Sequence, residues 1–415
     1  MNPQDLIGPS SALGNPAPFW FITVFRVLGF TLHMIPMNIW FAGMLLIAVF
    51  AAFGRNNSKL LARRLARSTP VIVAVGINLG IIPLLFTQVG YYQFFYPAGV
   101  LIGWPWISVI LLLAIAYYGV YAYSLDVRKN PSGESKFAIA SAWVSSILFI
   151  VIGFLFANNF SLMVNVREWI HIFNRTNVGG APSGLALNVS DPSLIPRWLM
   201  MFGIAVMTTS VYIAIDATFM KNASTAPESK SWSGKFTFRL FTLGTMWFAV
   251  MGSWYIFGTL YQHTKSQVWQ NPLMVAIFGL TAVSPGAVRL ALLLQQRMLN
   301  RRLVIAAGVA QLVVIALNAI SRQWVQNVEI SRFENVSSLP VNIQWSPMIV
   351  FLLLFVLGFA VVAWMIAKIV SVERVAAQGR QESDRVNQPS WSTYLLIFRL
   401  SEILYHFDEF RPSLS

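Results

Sequence analysis

The 415-residue sequence contains no cysteine. That excludes a disulfide framework, a thiolate zinc site, a cysteine-held iron–sulfur cluster and a covalently attached CxxCH haem in this chain. Any redox chemistry must therefore use a non-covalent cofactor or a partner. Charge is scarce too, with charged residues at 11% against 56% hydrophobic ones and a mean hydropathy of +0.63. A soluble globular chain carries about 25% charged residues. There is no P-loop, no GxGxxG in a strand–helix setting, no HExxH and no nucleophile elbow, so hydrolytic readings lose their footing.

What the chain has is long apolar runs. A spanning helix needs roughly 20 apolar residues, and the runs between charge clusters predict nine spans, near 19–53, 70–93, 101–124, 137–160, 195–218, 238–261, 272–296, 303–320 and 347–371. The fold class expected is an all-α polytopic bundle, with residues 1–372 as one membrane domain and 373–415 as a tail. The first run exceeds what a bilayer requires, so PFWFITVF is placed at the interface, before a bend at Pro36.

Positive charge is divided unevenly between the two sets of loops. Fourteen lysines and arginines, among them Arg55, Arg63, Arg64, Arg67, Arg128, Lys221, Arg297 and Arg301, fall on one side, and six fall on the other: Arg167, Arg175, Arg197, Lys265, Arg322 and Arg332. By the positive-inside rule the N-terminus is outside and the C-terminus inside. The net charge of +14 is read as this topological bias plus attraction to anionic lipid, not as a nucleic-acid signal. MNPQDLIGPSSALGNP has no basic n-region, so no cleaved signal peptide is expected.

Polar groups at membrane depth are costly and mark candidate sites. Arg26 and His33 stand seven apart on one face of the first span, and Arg289 sits within the seventh. His33 is either an axial haem ligand through a neutral imidazole nitrogen or a histidine hydrogen-bonded inside the bundle. Arg26 and Arg289 either clamp a haem propionate or a quinone, or form snorkelling or structural ion-pair contacts. Asn78, Gln88 and Gln93, in an uncharged stretch from Gly76 to Trp106, either shape a cofactor's surroundings or join helices. His171 and His263 could form an outer metal site, although two ligands without a definite carboxylate make a weak set.

Several motifs in order resemble subunit I of the cytochrome bd quinol oxidases. They are HMIPMNIWFAG (His33 to Gly43), GIN (Gly76 to Asn78) followed by FTQVG (Phe86 to Gly90), IGWPW with Gly103 and Pro105, FLFANNFSLM (Phe154 to Met163), DPSLIPRWLMM (Asp191 to Met201) and SRQW (Ser321 to Trp324). Together they cover most of residues 19–372, and nine spans with an outside N-terminus is that subunit's topology. The resemblance implies a multi-pass subunit of a bacterial inner-membrane respiratory complex, working with other membrane subunits, an external cytochrome or redox protein, and quinone. It implies haem b at His33, and Arg322 as the arginine of the family's GRQPW motif. The remaining positions depart from the family. Its fifth-span haem histidine corresponds to Met200, which could still ligate haem iron, its seventh-span methionine to Ala291 beside the matching Arg289, its haem-binding glutamate to Ala319, and its paired third-span glutamates to Val109 and Tyr117. QHTKSQVWQN is too short for the family's quinol-binding loop.

The expectation is thus a subunit largely degenerate for haem and oxygen chemistry, serving in anchoring, quinone contact or docking of a cytochrome, with haem b, quinone or no cofactor in this chain. A polytopic transporter for an anionic solute, using Arg26, His33 and Arg289, and a structural assembly subunit are the alternatives. The loop 164–195, with Trp169, His171, Phe173 and Arg175, either docks a partner or packs over its own bundle. The loop 321–346 is expected alongside it. In the tail, Arg399, Glu402, His406 and Glu409 share one face of an expected amphipathic helix, opposite Leu396, Leu400, Ile403 and Phe407.

Overall fold

The computed structural model describes residues 6–130, 133–219, 227–298 and 300–364. The expected tail helix lies outside the described residues. The elements in chain order are α1 (Phe19–Phe53), α2 (Asn57–Gly90), α3 (Tyr92–Leu101), α4 (Gly103–Lys129), α5 (Lys136–Val164), α6 (Val166–Thr176), α7 (Leu194–Phe219), α8 (Pro227–Ser253, running on as a π-turn through Trp254–Thr259), α9 (Gln262–Gln270), α10 (Pro272–Met298) and α11 (Arg301–Ser331). A further helix, α12, spans Trp345–Trp364. Nine of these helices are long and apolar enough to cross a membrane, so the chain is an all-α, multi-pass membrane protein. Residues up to Gln344 form one compact unit, and α12 belongs to a second.

Within the first unit α1 is central. It packs against α2, α5, α7 and α11, and 61% of its most apolar window is buried, against 28% for α2, α4 and α5. Apolar side chains on the outer helices face outward instead; Trp104, Ile107, Ile110, Leu111 and Tyr118 of α4 are all exposed. In water that surface would be a liability, whereas in lipid it is the required outer face.

Two helices outrun their apolar runs. α2 begins at Asn57 because Leu61, Ala62, Leu65 and Ala66 are buried against the main core, which carries the basic turns between them into the helix. α11 continues to Ser331 because its terminal polar residues face inward, so residues expected to open a loop at Ser321 are helical. α1 likewise passes through Pro36 as a continuous helix.

The connections at the end of the bundle where α1 begins, called here the N-terminal face, are folded down rather than loose. Ala186 N donates to Leu101 O at 3.0 Å, Trp104 N to Gly184 O at 2.8 Å, and Asn188 N to Asn158 Oδ1 at 3.0 Å. Trp169 Nε1 donates to Leu162 O at 2.8 Å, anchoring α6 by its apolar side, while Arg167, His171 and Arg175 stay exposed. Segment 164–195 therefore packs over its own bundle and keeps a basic outer edge. Residues 14–16 pair with 340–344, and Gly14 has φ +70° with Pro340 O 2.8 Å from where a Cβ would stand. Only glycine fits there.

Candidate functional site: buried arginines near the N-terminal face

α11 carries Gln311, Asn318, Arg322, Gln326 and Glu329. At 100° per residue these lie within a sector of about 80°, a polar stripe on a membrane helix. It faces α1 and α7. Deepest along it, Gln311 Nε2 and Asn38 Nδ2 both donate to Thr208 Oγ1, at 3.0 and 3.1 Å.

Nearer the N-terminal face, Arg26 of α1 is 2% exposed. Its Nε donates to Thr87 Oγ1 at 2.8 Å and its Nη2 to Gln326 Oε1 at 2.6 Å. Its guanidinium lies over the Tyr91 ring, 4.6 Å from the centroid. Thr87 can accept because its own hydroxyl proton goes to Pro83 O at 2.7 Å. Arg322 packs between Phe30, at 4.3 Å, and Phe160, at 5.0 Å. Phe30 stands one turn along α1 from Arg26, so the two arginines border the same interior. Arg197 of α7 meets the buried Glu329 at 3.2 Å, shares Nη2 with Ser193 Oγ at 3.3 Å, and lies over Tyr255 at 5.1 Å.

Tyr91 links this group to the surface. Its hydroxyl donates to Asn327 Oδ1 at 2.5 Å, and Gln323 Nε2 donates to both Tyr91 Oη and Asn327 Oδ1 at 2.8 Å. Burial pushes the Tyr91 phenol above its ordinary range, partly offset by the Arg26 charge, so the hydroxyl remains a donor at neutral pH. Above it a cavity of about 210 Å³, lined by Phe19, Tyr91, Asn327, Ser331 and Glu334, opens at the N-terminal face.

His33 stands two turns deeper on α1 than Arg26. Its Nδ1 is 2.8 Å from Gly76 O, which fixes the N–H on Nδ1 and leaves Nε2 without a hydrogen bond among the described residues. The ring is seated on Gly80, where a Cβ would come within 2.9 Å of both Cε1 and Nδ1. The other expected site residues lie elsewhere. Met200 packs against α8, its sulfur 3.4 Å from the position of a Cβ on Gly252. Arg289 is on the exposed face of α10, 5.5 Å from the Phe238 ring. Asn78 is exposed and donates to Ala74 O of its own helix at 2.8 Å. Gln88 is half-buried, and its neighbour Thr87 makes the contact with Arg26. Gln93 ties down the N-terminal segment, donating to Gly8 O at 2.6 Å. His171 and His263 are both exposed, and no group of three potential metal ligands occurs among the described residues.

Arg197, Glu329, Gln326, Thr87 and Tyr91 were not singled out from sequence. The available signal was the spacing of the α11 stripe, which a hydropathy reading ends at residue 320. No protein-family model matches the chain, and no curated protein matches it.

Proposed function

We propose that the chain is a membrane subunit of an electron-transfer complex, built like subunit I of the cytochrome bd oxidases and reduced in its cofactor chemistry. The observation that carries this is His33. The Gly76 carbonyl fixes its tautomer, Gly80 makes room for the ring, and Nε2 remains available, which is the arrangement a metal-bound imidazole requires. Haem b, when bound, supplies one-electron transfer. For such a group the residues fit on one side only: His33 offers an axial nitrogen, while Met200 is engaged with α8 and Ala291 offers no donor. We place the N-terminal face outside, from the charge bias of the loops, and assign the exposed Arg167, His171 and Arg175 edge of α6 to docking an external redox protein.

The optical spectrum of the purified full-length protein tests the proposal. A haem b absorbance that disappears in His33→Ala and persists in Met200→Leu supports it. A colourless protein that binds quinone supports the reduced form without haem. A colourless protein that binds no quinone and catalyses anion uptake in liposomes overturns it in favour of a transporter.

A further inference from the structure

We propose that Arg26, Arg322 and Gln326 form a binding site for a small anion of the halide or monocarboxylate class, loaded from water at the N-terminal face through the cavity above Tyr91. Donors in this part of the bundle lack acceptors. Arg26 Nη1 and Gln326 Nε2 are buried and have no hydrogen-bond partner, and both belong to the one pair joined at 2.6 Å. Arg322, one turn from Gln326 on the same face of α11, has aromatic neighbours but no hydrogen bond or ion pair among the described residues. The missing component is an acceptor.

The charge count agrees. Of the four arginines in this part of the bundle, Arg197 has Glu329 and Arg332, at the end of α11, lies over Tyr261. Of the two other acids nearby, Asp191 accepts from the Ser161 hydroxyl and from Ser193 N, and Glu334 lies at the mouth of the cavity and pairs with neither Arg26 nor Arg322. Arg26 and Arg322 therefore remain without a carboxylate. Arginine cannot shed its proton in a protein, and an isolated buried charge is unfavourable by several kcal/mol even after relaxation. Cation–π contacts return about 0.5–2 kcal/mol each, which leaves part of that cost uncompensated. Water can fill a hydrogen-bonding vacancy, but it cannot neutralise the charge. An anion does both.

Access and size set the class. The cavity floor is Tyr91, whose ring covers Arg26 and whose hydroxyl is held by Asn327, so an entering ion passes a polar, jointed side chain rather than packed aliphatics. The cavity of about 210 Å³ is an antechamber that none of the three donor residues lines, and donors from two arginines and one amide packed behind Tyr91 suit a compact monovalent ion. Glu334 at the mouth repels all anions, multivalent ones more strongly than monovalent ones. This inference does not depend on haem at His33.

The test is chloride-35 nuclear magnetic relaxation on the purified full-length protein, with acetate as competitor and gluconate as a bulky control. The expected result is excess line broadening proportional to protein, displaced by acetate but not gluconate, reduced at least tenfold in Arg26→Gln and in Gln326→Leu, and unchanged in Arg289→Gln. If the arginine variant fails to fold, Gln326→Leu and acetate competition on the unaltered protein still decide. Broadening that is absent, or equal in the Gln326→Leu protein, overturns the proposal. So does a protein that carries haem and binds chloride only after the haem is removed, because the carboxylates of the cofactor then occupy the arginines; that outcome would leave the His33 reading intact.

Discussion

Replacing Glu329 by Leu removes the one carboxylate paired with Arg197, and the structure fixes the size of the effect. Glu329 is 1% exposed, its Oε1 accepts from Arg197 at 3.2 Å, and its Oε2 has no partner. Loss of one partner from a buried pair costs about 3–5 kcal/mol. The upper half of that range is expected here, because the stranded group is a guanidinium that stays charged and shares the interior with Arg26 and Arg322. The reverse change, Arg197→Met, strands a carboxylate, which a proton can neutralise, so about 2–3 kcal/mol is expected. The double variant removes both charges and should cost less than the sum of the singles by at least about 2 kcal/mol, a coupling of order thirtyfold. Unfolding in mixed dodecylmaltoside–SDS micelles, followed by near-ultraviolet circular dichroism, measures all three. Single variants costing under about 1 kcal/mol each and adding without coupling would refute the claim that these charges meet in a dry interior.

Three further outcomes follow from the same geometry. Gly80→Ala gains about 1 kcal/mol of helix propensity but drives a methyl to 2.9 Å from the His33 ring, an overpacking worth about 1–3 kcal/mol, so a net loss in melting temperature is expected; Gly76→Ala, whose methyl would run into the Trp40 ring, should lose more. Asp216→Asn leaves Arg64 facing a neutral group at the opposite end of the bundle, and a loss of about 3 kcal/mol is expected in the same micelle assay. The Tyr91 phenol is raised above its ordinary value by burial, so its neutral form contributes stability that is complete below pH 10 and declines as pH rises through the folded value; Tyr91→Phe should lose this alkaline decline and keep the rest of the pH profile.

Among the described residues hydropathy located all nine candidate spans, since burying twenty apolar residues in lipid is what defines one, but it could not locate helix ends. The basic turns of α2 and the polar end of α11 are helical through tertiary packing, which a window average does not register. The same blind spot hid half the site. Arg197 counted as a loop charge and Glu329 fell in an expected loop, although their places on α7 and α11 put them inside; Arg322 was a candidate only through the SRQW motif, while its charge counted with the loops. Arg26 and His33 stood out because they interrupt an otherwise apolar run. Asn78, by contrast, was equally visible and points outward, because an asparagine can satisfy itself on the carbonyl four residues back and so needs no interior partner.

The polar residues of the interior are unlike one another along the bundle. Near the face opposite the N-terminal one, Arg64 has Asp216; at mid-depth Asn38, Thr208 and Gln311 join through one hydroxyl. Vacancies at mid-depth are the neutral acceptors Asn38 Oδ1 and Gln311 Oε1, which an ordered water would satisfy. Near the N-terminal face the vacancies on Arg26 and Gln326 are donors, beside two guanidinium charges without acids; the open acceptor Glu329 Oε2 belongs to the Arg197 pair, and the open donor Arg64 Nε at the other face belongs to a cation that has its acid. Helix-joining contacts alone would give each cation its acid at both ends, as Arg64 shows is feasible in this chain. The imbalance at one end is therefore a property of a site, and its sign selects an anion. A substitution that supplies the acid internally, Gln326→Glu, should close that vacancy, raise thermal stability and abolish the response to chloride. If the variant were destabilised instead, the two guanidinium groups would already be satisfied by some other means, and the asymmetry would carry no functional meaning.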